Sequence, residues 1–511
     1  MSPTSATSGH RQDPKVRQAV VVVHGMGEHR PLDTLNNFIA AGIPPVPGLR
    51  LDEQYYSRPD ELTDSYEARR YLAPRQPPLP PDLAEPEVYA QTEFFEYHWA
   101  HMMQGNRLGD LVPAMGRLLL RRPRTVPKGL RVVWWAIWIA IVLALWFFAL
   151  GPGNQFEFTD SPFEDLIRLV AGTGLVATAV TFLLVNVLGG WATSSFVDVV
   201  RYLDTSPRSY AVRHDIRKGI VDLLQALHDS RKYDRIIIVA HSLGSYIAHD
   251  GITFLWGTMN TRHGGPLGPG RGTEIPSGLK NLELAASDLA QGWENDRFAP
   301  PPAADLEVYR EAQRALWRGI RENGNPWLIT DLITLGSPMN FADRLYTKNY
   351  PSFQQRVKAT EFPTCPPQSD PADYNNIHHT LRYYSYEDKR TGRRVLYHGA
   401  PFAVVRWTNM WFPAHLSFFG DWFGGPLAPL YGSGIMDIKL QNVWFRPRFW
   451  TVFPAVAHAR YFSYPKDLSR NSATTHLRDS MDLASSAWLS SVKPPKRQAS
   501  SARRAPASKD A

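Results

Sequence analysis

The chain of 511 residues contains a single cysteine, Cys365. One cysteine cannot form an intrachain disulfide, so nothing ties the fold to an oxidising compartment. A structural zinc site built on paired cysteines is excluded for the same reason. Residues 1–18 are polar and lack an apolar core, which argues against a secretory signal. No internal repeat is apparent.

The formal net charge is +8, and part of this excess lies in a basic tail after Val492. We predict that residues 491–511 form a disordered tail and that residues 1–17 form a disordered N-terminus. Such a tail can contact anionic lipid. No nucleic-acid-binding motif accompanies it, so nucleic acid is not a predicted partner. Hydrophobic residues make up 43% of the chain, which is enough for a substantial core.

Two apolar runs, at 132–150 and 169–188, contain no charged residue. A helix of nineteen residues is about 28 Å long, close to the hydrocarbon thickness of a bilayer. Trp134, Trp135 and Trp146 fall towards the ends of the first run, where tryptophan favours the membrane interface. The sequence therefore predicts a transmembrane hairpin within residues 116–192. The alternatives are two buried helices of a soluble core, or one span with one buried helix.

The charges that flank the runs predict the orientation of the hairpin. Basic residues crowd the segment 117–131 before the first run and recur at Arg201, Arg208 and Arg213 after the second. The short connector between the runs is mainly acidic. Positive residues remain on the cytoplasmic side, so we expect a two-pass protein whose soluble parts, 18–115 and 193–490, face the cytoplasm.

Short runs rich in valine and isoleucine predict strands that are buried on both faces of a sheet. Between them, residues 208–228 have apolar positions at helical spacing. Strands that alternate with helices predict an α/β fold with a mostly parallel central sheet. The predicted strands are residues 18–23, 94–99, 235–240, 328–335 and 403–407.

Two segments have a less regular pattern. Residues 258–278 are rich in glycine and proline and are predicted to form a loop. They begin a longer segment, 258–327, that is either an insertion covering a site or an excursion over the surface. The proline-rich region 30–86 gives no clear assignment.

The motif AHSLG at 240–244 fits a tight turn between a strand and a helix that exposes a nucleophilic serine, with alanine in place of the usual first glycine. Small residues are needed two positions before and after the serine, because larger side chains would collide with the neighbouring elements. An apolar strand precedes the motif and a plausible helix follows it, so Ser242 is the predicted nucleophile. His241 and His249 are interpreted as structural residues. The alternative is a chance match in an ordinary turn.

Three stretches together resemble the α/β-hydrolase superfamily, specifically its lipase-like and esterase-like members. They are VVVHGMGEHRP at 21–31, IIIVAHSLGSYIAHD at 236–250 and LITLGSP at 332–338. The resemblance implies an α/β-hydrolase fold and an oxyanion hole formed by the backbone amides of Met26 and Leu243. It implies no metal and no organic cofactor.

In this superfamily the acid follows the serine, and the histidine follows the acid. His458 is the predicted base, and His476 is the alternative. The position where the resemblance leads us to expect aspartate is His415, so we assign the acid to Asp421, six residues further on. Asp343, after LITLGSP, is the alternative acid.

The predicted function is hydrolysis of carboxylic esters or thioesters through an acyl-enzyme on Ser242. An apolar acyl substrate is favoured, because the anchor would hold the site near the lipid bilayer. His415 at the expected acid position motivates an alternative, a catalytically inactive hydrolase fold that acts as a membrane interaction module. A transport component is disfavoured because neither apolar run carries a charge.

Overall fold

The computed structural model describes the sheet, its helical layers and the predicted serine, acid and base. The described residues are 16–25, 30–43, 55–63, 67–72, 90–103, 202, 207–263, 277–347, 349–369, 384–388, 393–414, 420–440, 457–462 and 473–483, with six further positions between 131 and 142.

Within the described residues, eight strands form the central sheet, in the order β10-β9-β6-β5-β1-β4-β3-β2. The chain is α/β, and the described sheet is mostly parallel, since β3 alone among its strands runs antiparallel to its neighbours, β2 and β4. Two further strands, β7 and β8, pair antiparallel as a separate hairpin. The strands are β1 Val16–Val23, β2 Tyr55–Pro59, β3 Glu67–Leu72, β4 Ala90–Tyr97, β5 Arg235–His241, β6 Ile329–Leu335, β7 Ser385–Asp388, β8 Arg393–Leu396, β9 Arg406–Trp411 and β10 Met436–Lys439.

Helices connect the parallel strands and cover both faces of the sheet, as parallel pairing requires. They are α1 Asp33–Gly42, α2 Pro207–Asp229, α3 Gly244–His263, α4 Ser277–Asn295, α5 Ala303–Glu322, α6 Ala342–Leu345, α7 Tyr350–Lys358, α8 Ala428–Tyr431 and α9 Ala473–Met481. Helices α2, α3 and α5 contribute to the larger apolar cluster, whereas α1 and α9 cover the opposite face.

The central strands alternate their side chains between these two cores. Val21 and Val23 of β1 pack with α2 and α3, while Val20 and Val22 face α1 and α9. The isoleucines and valine of β5 alternate in the same way, and all are fully buried. Because successive strand residues point to opposite faces, a run without polar residues fits only a strand covered on both sides. The prediction of doubly buried strands is confirmed.

Several predicted boundaries need correction. Strand β1 begins at Val16, inside the segment 1–17 predicted to be disordered. The predicted loop 258–278 is wrong at its start, since α3 continues to His263, with the Thr258 hydroxyl donating back to the Phe254 carbonyl. The strand predicted at 403–407 is Arg406–Trp411, because a short helical turn occupies 401–403.

The segment 258–327, predicted as a covering insertion or a surface excursion, contains α4 and α5. Helix α5 buries one face against the strand β9 and the turn before it. Arg310 donates to the carbonyl of Trp407, and Gln313 donates to the carbonyls of Phe402 and Val405. This part of the segment therefore belongs to the helical layer of the sheet.

In the part of the chain that the structure describes, no helix is both long and apolar enough to cross a bilayer. The predicted span 169–188 lies outside the described residues, as does most of the span 132–150. The predicted tail 491–511 lies outside them as well.

A buried charge cluster ties the end of α9 to the middle of the sheet. Asp331 of β6 accepts from Arg235 at 2.7 Å and from Arg406 at 2.8 Å, and all three side chains are almost fully buried. Arg235 also donates to the carbonyls of Met481 and Asp482 at the end of α9. Burial opposes ionisation of Asp331, but the two guanidinium groups lower its pKa to about 2.

We expect Asp331→Asn to lower the free energy of unfolding by about 3–5 kcal/mol, because it leaves two buried guanidinium groups without their counter-charge. The contribution of Asp331 is fully present above the unfolded pKa of about 4 and is lost as the pH falls towards the folded value. Urea unfolding of the full chain in detergent measures the loss. Glu361→Gln, in a half-exposed pair with Arg356, is the control and should cost less than about 1 kcal/mol. Equal losses of unfolding free energy in the two variants would contradict a special contribution of the buried Asp331 cluster.

Candidate active site

The serine motif lies in the turn between β5 and α3, at the carboxyl edge of the sheet. Ser242 has φ 53°, in the left-handed region that a residue with a side chain rarely occupies. Its N–H donates to the carbonyl of Leu335 at 2.9 Å, and its own carbonyl accepts from the N–H of Ser245. Such strain persists only where surrounding contacts hold it, and it is concentrated at functional sites.

Glycines on both sides of the turn allow the end of β1 to approach it. A Cβ at Gly244 would lie 2.5 Å from the carbonyl oxygen of Val23, and a Cβ at Gly25 would lie 2.7 Å from Nδ1 of His241. The requirement for a small residue at 244 therefore comes from the backbone of the neighbouring strand. Ala240, which stands where the motif usually has its first glycine, is fully buried within the sheet.

A continuous chain of hydrogen bonds joins Ser242, His458 and Asp421. Ser242 Oγ lies 2.8 Å from Nε2 of His458, and Nδ1 of the same ring lies 2.9 Å from Oδ1 of Asp421. Because Nδ1 faces a carboxylate, it carries the proton, and Nε2 is free to accept from the serine hydroxyl. The fold brings together three residues that are separated by 216 and 37 positions in sequence.

Asp421 is held as an anion at the end of this chain. Its oxygens accept from the ring of His458, the N–H of Phe423 and the hydroxyl of Tyr461. Burial alone would raise the pKa of Asp421, but the interaction with His458 and these hydrogen bonds lower it below its ordinary value. Ser242, His458 and Asp421 are 0%, 3% and 1% exposed, so water screens their interactions little.

The side chain of His241, just before the predicted nucleophile, contacts the backbone of His458. Nε2 of His241 donates to the carbonyl oxygen of His458 at 2.8 Å, and the two rings lie 4.9 Å apart. The ring of Phe423 packs on the ring of His458, with 5.0 Å between their centroids. This hydrogen bond ties His241 to the backbone of His458, a partner that could not be identified from the sequence.

The other candidate residues lie elsewhere. His249 donates from Nε2 to the carbonyl of Pro363, and burial lowers its pKa, in keeping with a packing role. His476, the alternative base, lies on α9. Asp343, the alternative acid, lies on α6 beside Arg344, and burial raises its pKa. The structure brings Asp421 to His458.

Leu243, one predicted oxyanion donor, is the residue between Ser242 and the first residue of α3, and its side chain is fully buried. Met26, the other predicted donor, lies outside the described residues, as does His415. Gly25, just before Met26, lies against the serine turn, since a Cβ there would be 2.9 Å from Cβ of Ser242. The last described residue before Met26 therefore lies beside the nucleophile.

Tyr461 was not among the residues predicted for the site. Tyr461 is 1% exposed, and its hydroxyl donates to Oδ2 of Asp421. Its only signal in the sequence is its place three residues after His458, which no motif singles out.

Comparison of the chain with protein-family models, with curated proteins and with solved structures found no match.

Proposed function

We propose that this chain is a membrane-anchored serine hydrolase of the α/β-hydrolase superfamily, lipase-like or esterase-like, that cleaves carboxylic esters or thioesters. The observation that carries the proposal is the hydrogen-bonded chain from Ser242 through His458 to Asp421, with the serine in a strained turn at the carboxyl edge of the sheet. Open parallel sheets bind ligands at this edge.

In the proposed first half-reaction, Ser242 Oγ attacks the acyl carbonyl carbon while Nε2 of His458 accepts the hydroxyl proton. The tetrahedral intermediate then collapses and breaks the bond to the leaving oxygen or sulfur, which receives that proton from His458. In the second half-reaction a water molecule attacks the acyl-enzyme, again with His458 as base. The carboxylic acid leaves, and the Ser242 hydroxyl is restored.

Asp421 would hold the imidazole of His458 in the tautomer that accepts from serine, and would stabilise the imidazolium that forms. Its lowered pKa supports this role, because the group remains an anion at neutral pH. The oxyanion would be stabilised by the backbone N–H groups of Leu243 and Met26, close to the N-terminus of α3.

The proposal of a membrane anchor and an apolar acyl substrate is supported by the uncharged runs and by the described positions of the first run. Trp135, Ile139 and Val142 are 51%, 56% and 57% exposed, and their spacing of four and three places them on one face of a helix. Large apolar side chains exposed together on one helix face suit contact with lipid.

A fluorophosphonate probe tests the proposal, because it reacts with activated serines. In membranes from cells that express the full chain, we expect a covalent adduct on Ser242, mapped by mass spectrometry. The labelled protein should remain in the pellet after an alkaline carbonate wash and be released by detergent. Ser242→Ala should remove the adduct.

Ser433→Ala is the matched control, since Ser433 is also buried but donates to the carbonyl of Leu289. It should label like the wild type. A folded wild-type protein that does not label would overturn the hydrolase proposal and favour the inactive interaction module. Release by carbonate would overturn the anchor alone.

A further inference from the structure

The carboxylate of Asp421 has two oxygens with different partners. Oδ1 faces Nδ1 of His458 and also accepts from the N–H of Phe423 at 2.8 Å. Oδ2 accepts from the hydroxyl of Tyr461 at 2.6 Å. The orientation of the carboxylate plane is therefore fixed from both sides, and the hydroxyl of Tyr461 holds the side opposite His458.

The direction of the Tyr461 hydrogen bond is fixed as well. The N–H of Phe412 donates to the Tyr461 oxygen at 3.1 Å, so the single hydroxyl proton is directed to Asp421. Burial, together with the charge of Asp421, raises the pKa of Tyr461 well above its ordinary value, so this hydroxyl remains a donor across the working pH range.

Two glycines make room for this arrangement. Gly336, in the stretch LITLGSP, has φ +56°, and a Cβ there would lie 2.6 Å from the Tyr461 ring and 2.9 Å from Oδ2 of Asp421. A Cβ at Gly424 would lie 2.6 Å from the same oxygen. Side chains at either position would displace the carboxylate or the ring. Gly336, just after β6, and Gly424, between β9 and α8, thus enclose the pair of Asp421 and Tyr461.

We infer that Tyr461 is a positioning residue that directs Oδ1 of Asp421 towards His458 and keeps the carboxylate in the orientation required for catalysis. The inference depends on the proposed hydrolase function, and it identifies a fourth residue for that site. Tyr461 acts through Asp421 and touches neither Ser242 nor the substrate in the proposed reaction.

Tyr461→Phe is expected to lower kcat about 10-fold to 100-fold, in the range of a lost hydrogen bond to a charged group, and to leave KM nearly unchanged. The Asp421 carboxylate would lose a donor that disperses its charge and would bind the proton at Nδ1 more tightly. The acidic limb of the kcat/KM profile, which reports the coupled His458–Asp421 pair, should therefore move to higher pH. The ring of His241, which is also titratable, lies 4.9 Å from that of His458 and is present in both proteins.

Tyr97→Phe is the matched control. The Tyr97 hydroxyl is also buried and donates at 2.6 Å, but to the carbonyl of Ile216. It should leave kcat and the pH profile unchanged even where stability falls. Titration of active sites with the fluorophosphonate probe corrects both variants for inactive protein. If the two variants behave alike, or if the acidic limb of Tyr461→Phe stays in place, the inference is overturned.

A second readout needs no turnover. In a double-mutant cycle, the effect of Tyr461→Phe on the unfolding equilibrium is measured with and without Asp421→Asn. Non-additive effects are expected, because Tyr461 acts through the Asp421 carboxylate. If the wild type neither labels nor turns over, the hydrolase proposal fails, and the cycle decides whether Tyr461 holds Asp421. Additive effects would contradict the inference that Tyr461 acts through Asp421.

Discussion

Replacing Ser242 with alanine is expected to lower kcat for short acyl esters by on the order of 10³-fold or more. The substitution removes the oxygen that lies 2.8 Å from Nε2 of His458 and that would attack the acyl carbon in the proposed reaction. Residual hydrolysis over water would come from binding and from the oxyanion donors. Hydrolysis of a chromogenic acyl ester by the full chain, purified in detergent, measures the loss.

The variant should remain folded, because alanine keeps the Cβ that Ser242 already carries at positive φ. Ser287→Ala is the control, since its hydroxyl is buried against the carbonyl of Glu283 on α4. It should retain wild-type kcat. If Ser242→Ala retained activity while remaining folded, the assignment of the nucleophile would be wrong.

The central strands could be predicted because the signal is local. A run such as IIIVA at 236–240 has no polar residue to place on a solvated face, so burial on both sides is the arrangement that its composition allows. Both strands of this kind, β1 and β5, lie in the middle of the sheet. The helix α2 could be predicted from a local signal as well, because its apolar residues recur at helical spacing.

The edge of the sheet could not be predicted in the same way. The edge strand β2 and its neighbour β3 are rich in charged and polar residues, in keeping with a side of the sheet that is more exposed to water. Arg58 and Arg70 pair with Glu93 of β4, a contact between residues far apart in sequence. Without an apolar alternation, a proline-rich region such as 30–86 offers no periodicity to detect.

The site divides in a similar way. Ser242 could be predicted because the turn has its own local requirements, namely a strand before it, a helix after it and a small residue at 244. His458 and Asp421 could be ranked only by chain order and by the loop after a late strand. Tyr461 could not be predicted, because its role depends on packing against Gly336, more than a hundred residues earlier in the chain.

Asp421→Asn is expected to lower kcat by on the order of 10³-fold to 10⁴-fold, far more than Asp343→Asn. Oδ1 of Asp421 lies 2.9 Å from Nδ1 of His458, and an amide there can stabilise the tautomer with its proton on Nε2. That tautomer cannot accept the serine proton. The loss of charge also removes the partner of the imidazolium, in a site where water screens little.

Asp343→Asn is the matched control, because both aspartates were candidates for the acid. Asp343 lies beside Arg344, and its pKa is raised by burial, so it is less suited than Asp421 to stabilise a cation. Its replacement should change kcat by less than about 3-fold, the range of a residue outside the reacting unit. The reverse ranking would move the acid to Asp343.

The combination of Ser242→Ala with Asp421→Asn separates a shared role from independent roles. When two residues act as one unit, replacing both lowers kcat little more than the more damaging single replacement does. We therefore expect the double variant to have the residual activity of Ser242→Ala. Losses that multiply would mean that Asp421 contributes by a route that does not pass through the serine, such as support of the loop that carries Phe423. Because the N–H of Phe423 also donates to Oδ1, that route is the specific structural alternative that this measurement excludes.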